Sequence, residues 1–197
     1  MRKIPAIAAA GATFALLAVP SLASATTTAG DVYSATSSNV AFSVNGQNMT
    51  CSAADLGGTV QSGTAPAATV ESARSTWGGC LYSGQNVAVT FNNSTWDLDA
   101  ASGYTSAATD TAVLGTVDNV DAHVSTLGGL CSFNVTGSAQ VTFNEVTQTL
   151  QVNETAAHGG LTVNYTSVGC FGLISNGQKA SFSGTFAVSA PHAVNVA

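Results

Sequence analysis

The sequence predicts an all-β fold, either an antiparallel β-sandwich or a small barrel, built from two similar disulfide-closed units. Three observations support this prediction. Apolar residues alternate with Ser, Thr and Asn in many short runs separated by turn residues, no run after residue 25 keeps a helical period, and the only four cysteines delimit two similar stretches, 51–80 and 131–170. Period-two alternation is typical of strands with one buried face, and many short strands with regular turns are typical of sandwiches and barrels.

The first 25 residues are predicted to be a secretory signal peptide. Two cations at the start precede an apolar, alanine-rich run over 4–22 and a small-x-small motif that ends at Ala25. This order of features marks a signal peptide that is removed during export. A membrane anchor needs a similar apolar length, but Gly11 and Pro20 interrupt this run. We therefore expect cleavage after Ala25 and a secreted protein, either free or attached non-covalently to the cell wall.

The charge of the remaining chain limits its partners. Arg74 and Lys179 are its only basic residues against ten carboxylates, which leaves a net charge of 2 − 10 = −8. Binding to nucleic acid and to anionic lipid depends on Lys and Arg. The composition therefore disfavours both partners, and we expect a cell-envelope polysaccharide or a protein partner, with no membrane span in the mature chain.

The mature chain is predicted to form one domain after a short leader. Residues 26–38 are rich in Thr, Ser, Ala and Gly, which is typical of a flexible terminus. Residues 39–197 have the length of one ordinary domain, and the cysteine spacing divides them into related units over about 40–105 and 112–190. The predicted strands follow the alternating runs 40–44, 49–51, 56–60, 70–77, 87–91 and 96–99, then 113–124, 133–135, 139–143, 150–152, 161–165 and 182–188.

Four cysteines in an exported protein indicate two disulfides, for which three pairings exist. The similarity of the two stretches favours one pairing. A glycine follows both Cys51 and Cys131 by six residues, and a glycine directly precedes both Cys80 and Cys170. If the units fold alike, Cys51 pairs with Cys80 and Cys131 with Cys170. A zinc site is the alternative, but no C-x-x-C spacing supports it.

These same residues give the chain a family resemblance. The alanine-rich leader, Cys51 followed by the run 57–60 (Gly-Gly-Thr-Val), and the Gly-Cys pairs that end at Cys80 and Cys170 resemble small secreted proteins of actinobacteria. A fainter likeness is to the exported bacterial alkane-oxidation activator proteins, which share a Cys and Gly-Thr-Val opening. The matching positions are structural, so the resemblance implies a secreted or envelope-associated bacterial β-protein and no particular chemistry.

Four aromatic residues are the candidate ligand-binding residues. Tyr82 and Tyr104 lie in predicted turns, where exposed rings stack on sugars or on a partner protein. Trp77 and Trp96 are candidates too, although their positions beside Cys80 and in an alternating strand favour packing in the core. The leading expectation is a secreted, non-enzymatic structural or binding protein, and an extracellular inhibitor or toxin component is an alternative.

Ionisable residues give two further alternatives. Asp121 and His123 share one face of a predicted strand, so a secreted hydrolase is conceivable, but no Gly-x-Ser-x-Gly or His-Glu-x-x-His motif supports it. We therefore favour the interpretation that they are solvated polar residues on the wet face of a strand. Calcium is the other alternative, through Asp97, Asp99 and Asp118 together with Asp110, although the EF-hand spacing is absent. We expect no cofactor.

Overall fold

The structure is a computed structural model that describes residues 29–61, 67–82, 84–93, 95–100, 112–126 and 128–194. These ranges contain twelve strands, two 3₁₀ turns and no α-helix, which confirms the all-β class. The strands are β1 Val32–Ser37, β2 Val40–Val44, β3 Gln47–Val60, β4 Ala68–Glu71, β5 Thr76–Tyr82, β6 Gln85–Phe91, β7 Thr95–Ala100, β8 Val113–Thr126, β9 Ser132–Asn144, β10 Thr149–Glu154, β11 Leu161–Thr166 and β12 Lys179–Ser189. The 3₁₀ turns are Ser72–Arg74 and Val168–Cys170.

The strands form one antiparallel sheet that closes into a barrel of eight strand positions. Four positions hold the long strands β3, β8, β9 and β12, and each of the others holds two short strands end to end: β1 with β2, β4 with β5, β6 with β7, and β10 with β11. The chain visits the positions in sequence order. The ring closes where β12 pairs with both β1 and β2. A closed ring leaves no long sheet edge open to other chains.

Side-chain alternation along each strand separates the interior from the outer wall. On β12, Ala180, Phe182 and Phe186 point inward, and Ser183 and Thr185 are exposed. The interior is apolar, and Phe133, Phe186 and Val163 are among its most deeply buried side chains. The outer wall consists largely of Ser, Thr and Asn. Successive side chains of a strand point to opposite faces, so polar residues alternate with the apolar ones when only one face is buried.

The buried polar side chains of the described residues lie at the strand breaks. They are Ser37, Ser75 and Glu154. Ser37 ends β1 and hydrogen-bonds the backbone of Asn39 before β2 begins. Ser75, between β4 and β5, accepts the Gly57 N–H of β3 at 3.2 Å. Backbone groups left unpaired by a break need other partners, and these side chains supply them.

Glu154 is the charged member of this set. Its side chain is only about 1% exposed, and its carboxylate accepts the backbone N–H groups of Gln140 at 3.1 Å and Gly160 at 2.9 Å. These contacts join β9 to the segment between β10 and β11. The Nδ1 of His158 lies 3.7 Å from the same carboxylate. Glu154 therefore replaces the ladder hydrogen bonds that the break removes.

The two disulfides are Cys51–Cys80 and Cys131–Cys170, as predicted. The first joins opposed residues of β3 and β5. In the second, Cys131 precedes β9 and Cys170 ends the second 3₁₀ turn, which follows β11. The first bridge thus links a long strand to the second half of the broken strand that follows it, and the second joins the segment before β9 to the 3₁₀ turn after β11.

Several details differ from the sequence prediction. Residues 32–37 of the predicted leader form β1, whose Tyr33 and Ala35 are buried between β3 and β12. The predicted strand 70–77 is divided by the first 3₁₀ turn, and the run 56–60 is the second half of β3. The ring of pairings is a barrel, whereas the sequence left sandwich and barrel open. The predicted signal peptide at 1–25 lies outside the described residues.

Candidate functional site

Four strand connections lie together at one end of the barrel, which we call the knob end. They are the turn between β2 and β3, the turn between β5 and β6, the segment between β8 and β9, and the segment between β11 and β12. The last is the longest, and its Ile174 is buried. Asn45 in the first turn donates its side-chain N–H to the carbonyl of Leu173 at 3.2 Å, so these connections contact one another.

Four large apolar side chains are exposed at this end. Their exposed fractions are 99% for Val168, 84% for Phe171, 74% for Leu130 and 52% for Leu173. We call these four residues the apolar knob. Single exposed apolar residues are ordinary, but grouped ones on a soluble domain mark interaction sites. None of these four residues is among the candidates predicted from the sequence.

The knob is tied together by covalent and hydrogen bonds. The Cys131–Cys170 bridge joins its two segments. Ser167 donates its hydroxyl to the Leu130 carbonyl at 3.3 Å and accepts the Ser132 N–H at 2.9 Å. A Cβ at Gly169 would collide with the Leu130 carbonyl, so the close approach of the segments requires glycine. The two halves of the knob therefore hold a fixed relative position.

Phe171 has a backbone conformation that is uncommon for a large residue. Its φ is 51°, in the left-handed region. Its N–H donates to the Val168 carbonyl at 3.2 Å, and the Leu173 N–H donates to Cys170 at 3.0 Å. Backbone strain of this kind occurs mostly at functional positions. Here Phe171 caps the second 3₁₀ turn in this conformation, and its side chain is exposed.

The knob carries no charge. The sequences 126–134 and 165–178 contain no Asp, Glu, Lys or Arg. The nearest cation in sequence, Lys179, donates its ammonium group to the Gly159 carbonyl at 3.0 Å and to the Thr162 hydroxyl at 2.8 Å. An uncharged, apolar, aromatic centre is the composition found in the core of protein interfaces.

The predicted aromatic candidates lie mainly inside the barrel. Trp96 is buried, and Trp77 and Tyr82 are half-buried. The predicted exposure of Tyr82 is therefore wrong, because its ring packs on Phe133 and its hydroxyl is buried, which raises its pKa. Tyr104 lies outside the described residues.

The two indoles belong to one interior aromatic cluster. The Phe91 ring lies 6.3 Å from Trp77 and 4.4 Å from Trp96, centroid to centroid. Trp77 also stacks on Phe182 at 5.6 Å. The Nε1 atoms of both tryptophans are buried and have no hydrogen-bond partner within the described part of the chain.

Asp121 and His123 lie on β8, outside the aromatic cluster. The Asp121 carboxylate accepts the side-chain N–H of Asn92 at 2.8 Å. The Nδ1 of His123 hydrogen-bonds Oδ1 of Asn134 on β9 at 2.6 Å. Each side chain is therefore held by an asparagine. Among the described residues, neither side chain hydrogen-bonds a hydroxyl that could act as a nucleophile.

The carboxylates predicted as calcium ligands meet on β7 and β8. Asp97 lies opposite Asp118, and Asp97 accepts the side-chain N–H of Asn119 at 2.7 Å. Partial burial, with the nearby Asp118 and Asp97, raises the pKa of Asp99. In the ranges that the structure describes, no group of three or more His, Cys, Asp or Glu residues has a metal-binding arrangement. Asp110 lies outside these ranges.

Comparison of the chain with protein-family models, curated proteins and solved structures found no match. Within the described ranges, no helix has the length and apolar character needed to cross a membrane.

Proposed function

We propose that this protein is a secreted, non-enzymatic binding protein that docks its apolar knob into an apolar groove on a partner protein at or near the cell surface. The observation that carries the proposal is the exposure of Val168, Phe171, Leu130 and Leu173 on one disulfide-tied end of the barrel. Burying such side chains on binding is favourable by about 25 cal/mol per Å² of apolar surface.

The rigidity of the knob supports a docking role. The Cys131–Cys170 bridge and the Ser167 hydrogen bonds order the knob before any partner arrives. A surface that is already ordered loses less conformational entropy on binding. A few well-packed side chains near the centre of a contact also supply most of its binding energy. We expect Phe171 to contribute more to the binding energy than any other residue of the knob.

A protein groove suits the knob better than a polysaccharide or a membrane. Sugars are bound by exposed aromatic rings together with hydrogen-bonding groups, and the knob offers one aromatic ring among aliphatic side chains. An anionic membrane is disfavoured by a mature chain with two cations and ten carboxylates. An exposed, uncharged, apolar surface matches an apolar groove.

The proposal also includes secretion, an internal duplication and a relation to a group of bacterial proteins. Secretion rests on the leader over 1–25 and on the two disulfides, which persist in oxidising compartments. Duplication rests on the pairing of β3 with β4 and β5, which resembles that of β9 with β10 and β11, with one disulfide in each set. A relation to small secreted actinobacterial proteins rests on the glycine and cysteine spacing. N-terminal sequencing of the exported protein is expected to start at Thr26.

The test is cosedimentation of the purified mature protein with isolated cell envelopes of the source organism. We expect saturable pelleting that falls at least tenfold in the variant Val168→Ser/Phe171→Ser. Leu114→Ser/Val146→Ser is the matched control, because these residues are similarly exposed, at 62% and 73%, but lie away from the knob end. Equal pelleting of both variants would contradict the proposal.

Two further samples identify the class of partner. Protease treatment of the envelopes is expected to abolish pelleting, and phosphatidylcholine vesicles and insoluble envelope polysaccharide are expected to leave the protein in the supernatant. Pelleting with vesicles or with polysaccharide would show that the protein binds that ligand and not a partner protein. A secreted hydrolase remains the alternative function, and turnover that is lost in His123→Ala would favour it.

A further inference from the structure

We propose that the barrel interior is a binding site for a small, uncharged molecule with an apolar body and an acceptor oxygen, such as a ketone. The site would be distinct from the apolar knob. It consists of a cavity of about 60 Å³ in the interior, which we call the chamber. Trp77 and Trp96 both line it.

The chamber has the composition of a ligand site. Seventeen side chains line it, all of them apolar or aromatic, and they come from every strand except β1. Eight-stranded barrels are just wide enough to be filled by side chains or to hold one small ligand. The wall contains no ionisable side chain. A charged ligand would have no partner there, so the ligand must be neutral.

The filling of the interior is incomplete around this space. Phe42, Trp77 and Phe182 point into the barrel and line the chamber, yet each is only half-buried. Val89 and Ala122 line it and are half-buried too. Protein interiors are normally packed to the density of organic crystals. Apolar wall surface that remains uncovered is surface that a ligand can cover.

The two indole N–H groups determine the chemistry of the ligand. Trp77 Nε1 and Trp96 Nε1 are buried without a partner among the described residues. A buried donor without an acceptor is destabilising, and each such group in a folded protein calls for an explanation. An acceptor oxygen satisfies donors, whereas a second donor group does not. A carbonyl oxygen has two lone pairs and can accept from both indoles.

Binding requires a movement of the rings. The Nε1 atoms are covered as the side chains stand, so an indole must turn toward the chamber to reach the ligand. Phe91 separates the two tryptophans, at 6.3 Å from one ring and 4.4 Å from the other. The flexible side chain of Met49 in the same wall can adjust to this rotation.

The volume limits the size of the ligand. A cavity of roughly 150 Å³ accepts benzene, and the chamber is smaller, at about 60 Å³. The ligand that fits without enlarging the barrel therefore has fewer atoms than benzene. Acetone is a suitable probe, and isobutene is its control, because it has nearly the same shape with a methylene group in place of the oxygen.

The experiment is a titration of the ¹³C,¹⁵N-labelled mature protein followed by NMR. Trp77 and Trp96 are the only tryptophans of the chain, so the two indole N–H resonances report directly on the chamber. We expect acetone to shift both resonances with a saturable, millimolar dependence, and isobutene to shift neighbouring methyl resonances but bind more weakly. Indole shifts that are absent, or that rise linearly with acetone concentration, would overturn the proposal. Indole N–H groups that only exchange with water would overturn it too.

Two kinds of variant separate binding from general solvent effects. Trp96→Phe and Trp77→Phe keep a ring but remove one donor, so we expect acetone to bind about five- to tenfold more weakly while isobutene is unchanged. Ala122→Leu places extra carbon atoms in the chamber and should abolish the binding of both probes. If that variant does not fold, Ala139→Val fills the same wall with a smaller group. Unchanged acetone binding in a folded filled variant would overturn the proposal.

Discussion

Trp77 and Phe182 stack across the barrel interior with their ring centroids 5.6 Å apart. Trp77 lies on β5 and Phe182 on β12, and two strand positions separate them along the wall, one held by β3 and one by β1 and β2. The rings therefore meet only because the sheet closes. This contact packs two rings of the chamber wall against each other.

A double-mutant cycle on Trp77→Leu and Phe182→Leu tests this contact. We expect each single variant to lower the free energy of unfolding by about 2 to 4 kcal/mol, because each loses ring packing in the interior. The coupling energy between the two is expected to be about 0.5 to 1.5 kcal/mol, the range for aromatic pairs. Urea denaturation supplies all four values. Strict additivity would mean that the rings do not interact.

Glu154→Ala is expected to lower the free energy of unfolding by about 3 kcal/mol. The substitution leaves the buried N–H groups of Gln140 and Gly160 without an acceptor. Glu154→Gln keeps one acceptor oxygen and should lose less. Urea denaturation of the two variants beside the parent protein measures both losses. If Glu154→Ala unfolds at the parent's urea concentration, the strand break does not depend on this carboxylate.

Asp99→Asn is expected to raise stability at pH 7, by up to about 1 kcal/mol, as for a surface charge pair. The reason is that burial and the neighbouring Asp118 and Asp97 raise the pKa of Asp99 in the folded state. The native state therefore loses stability as the pH rises from below 3.8 through the raised pKa, and the loss is complete above it.

Thermal unfolding between pH 3 and pH 7 measures this effect. The stability difference between Asp99→Asn and the parent should grow with pH and vanish at the acidic end. Asp55→Asn removes the same charge from the exposed wall of β3 and is the control. A difference that is independent of pH would show that repulsion among the carboxylates is not its cause.

Removing the second disulfide should affect both stability and docking. Cys131→Ser/Cys170→Ser opens a loop with a sequence separation of 39 residues, which corresponds to roughly 3.9 kcal/mol in the chain-entropy model. Cys51→Ser/Cys80→Ser, with a separation of 29 residues, should cost about 3.6 kcal/mol. Urea denaturation measures both. At a temperature where both variants are folded, only the first is expected to lose envelope binding, and equal binding losses would contradict a specific role of the knob.

Local patterns in the sequence were sufficient for the disulfides and for most of the strands, but not for β1 or for the break between β4 and β5. The alternation of Val40, Phe42 and Val44 with polar residues follows directly from burial of one face, and the glycine and cysteine spacing gave the correct pairing. Closure was not accessible in this way. It depends on contacts such as that of Ala35 with Val188, which lie far apart in sequence and leave no local period.

The candidate site was harder to predict than the fold. The position of Tyr82 next to a turn did not show which side of the sheet its ring occupies, and the ring points inward. Val168 and Phe171 belong to no alternating run, so no rule for strands applies to them. The signal available in the sequence was a group of large apolar residues beside Cys131 and Cys170 in glycine-rich segments that carry no charge.

Site-specific photocrosslinking is the most direct test of the knob as the docking surface. A photoreactive phenylalanine analogue is placed at position 171 of the mature protein, and at position 146 as the control, since Val146 is also exposed but lies away from the knob end. After irradiation with cell envelopes, we expect a discrete protein adduct from position 171 and none from position 146. The same adducts from both positions, or none from position 171, would contradict it.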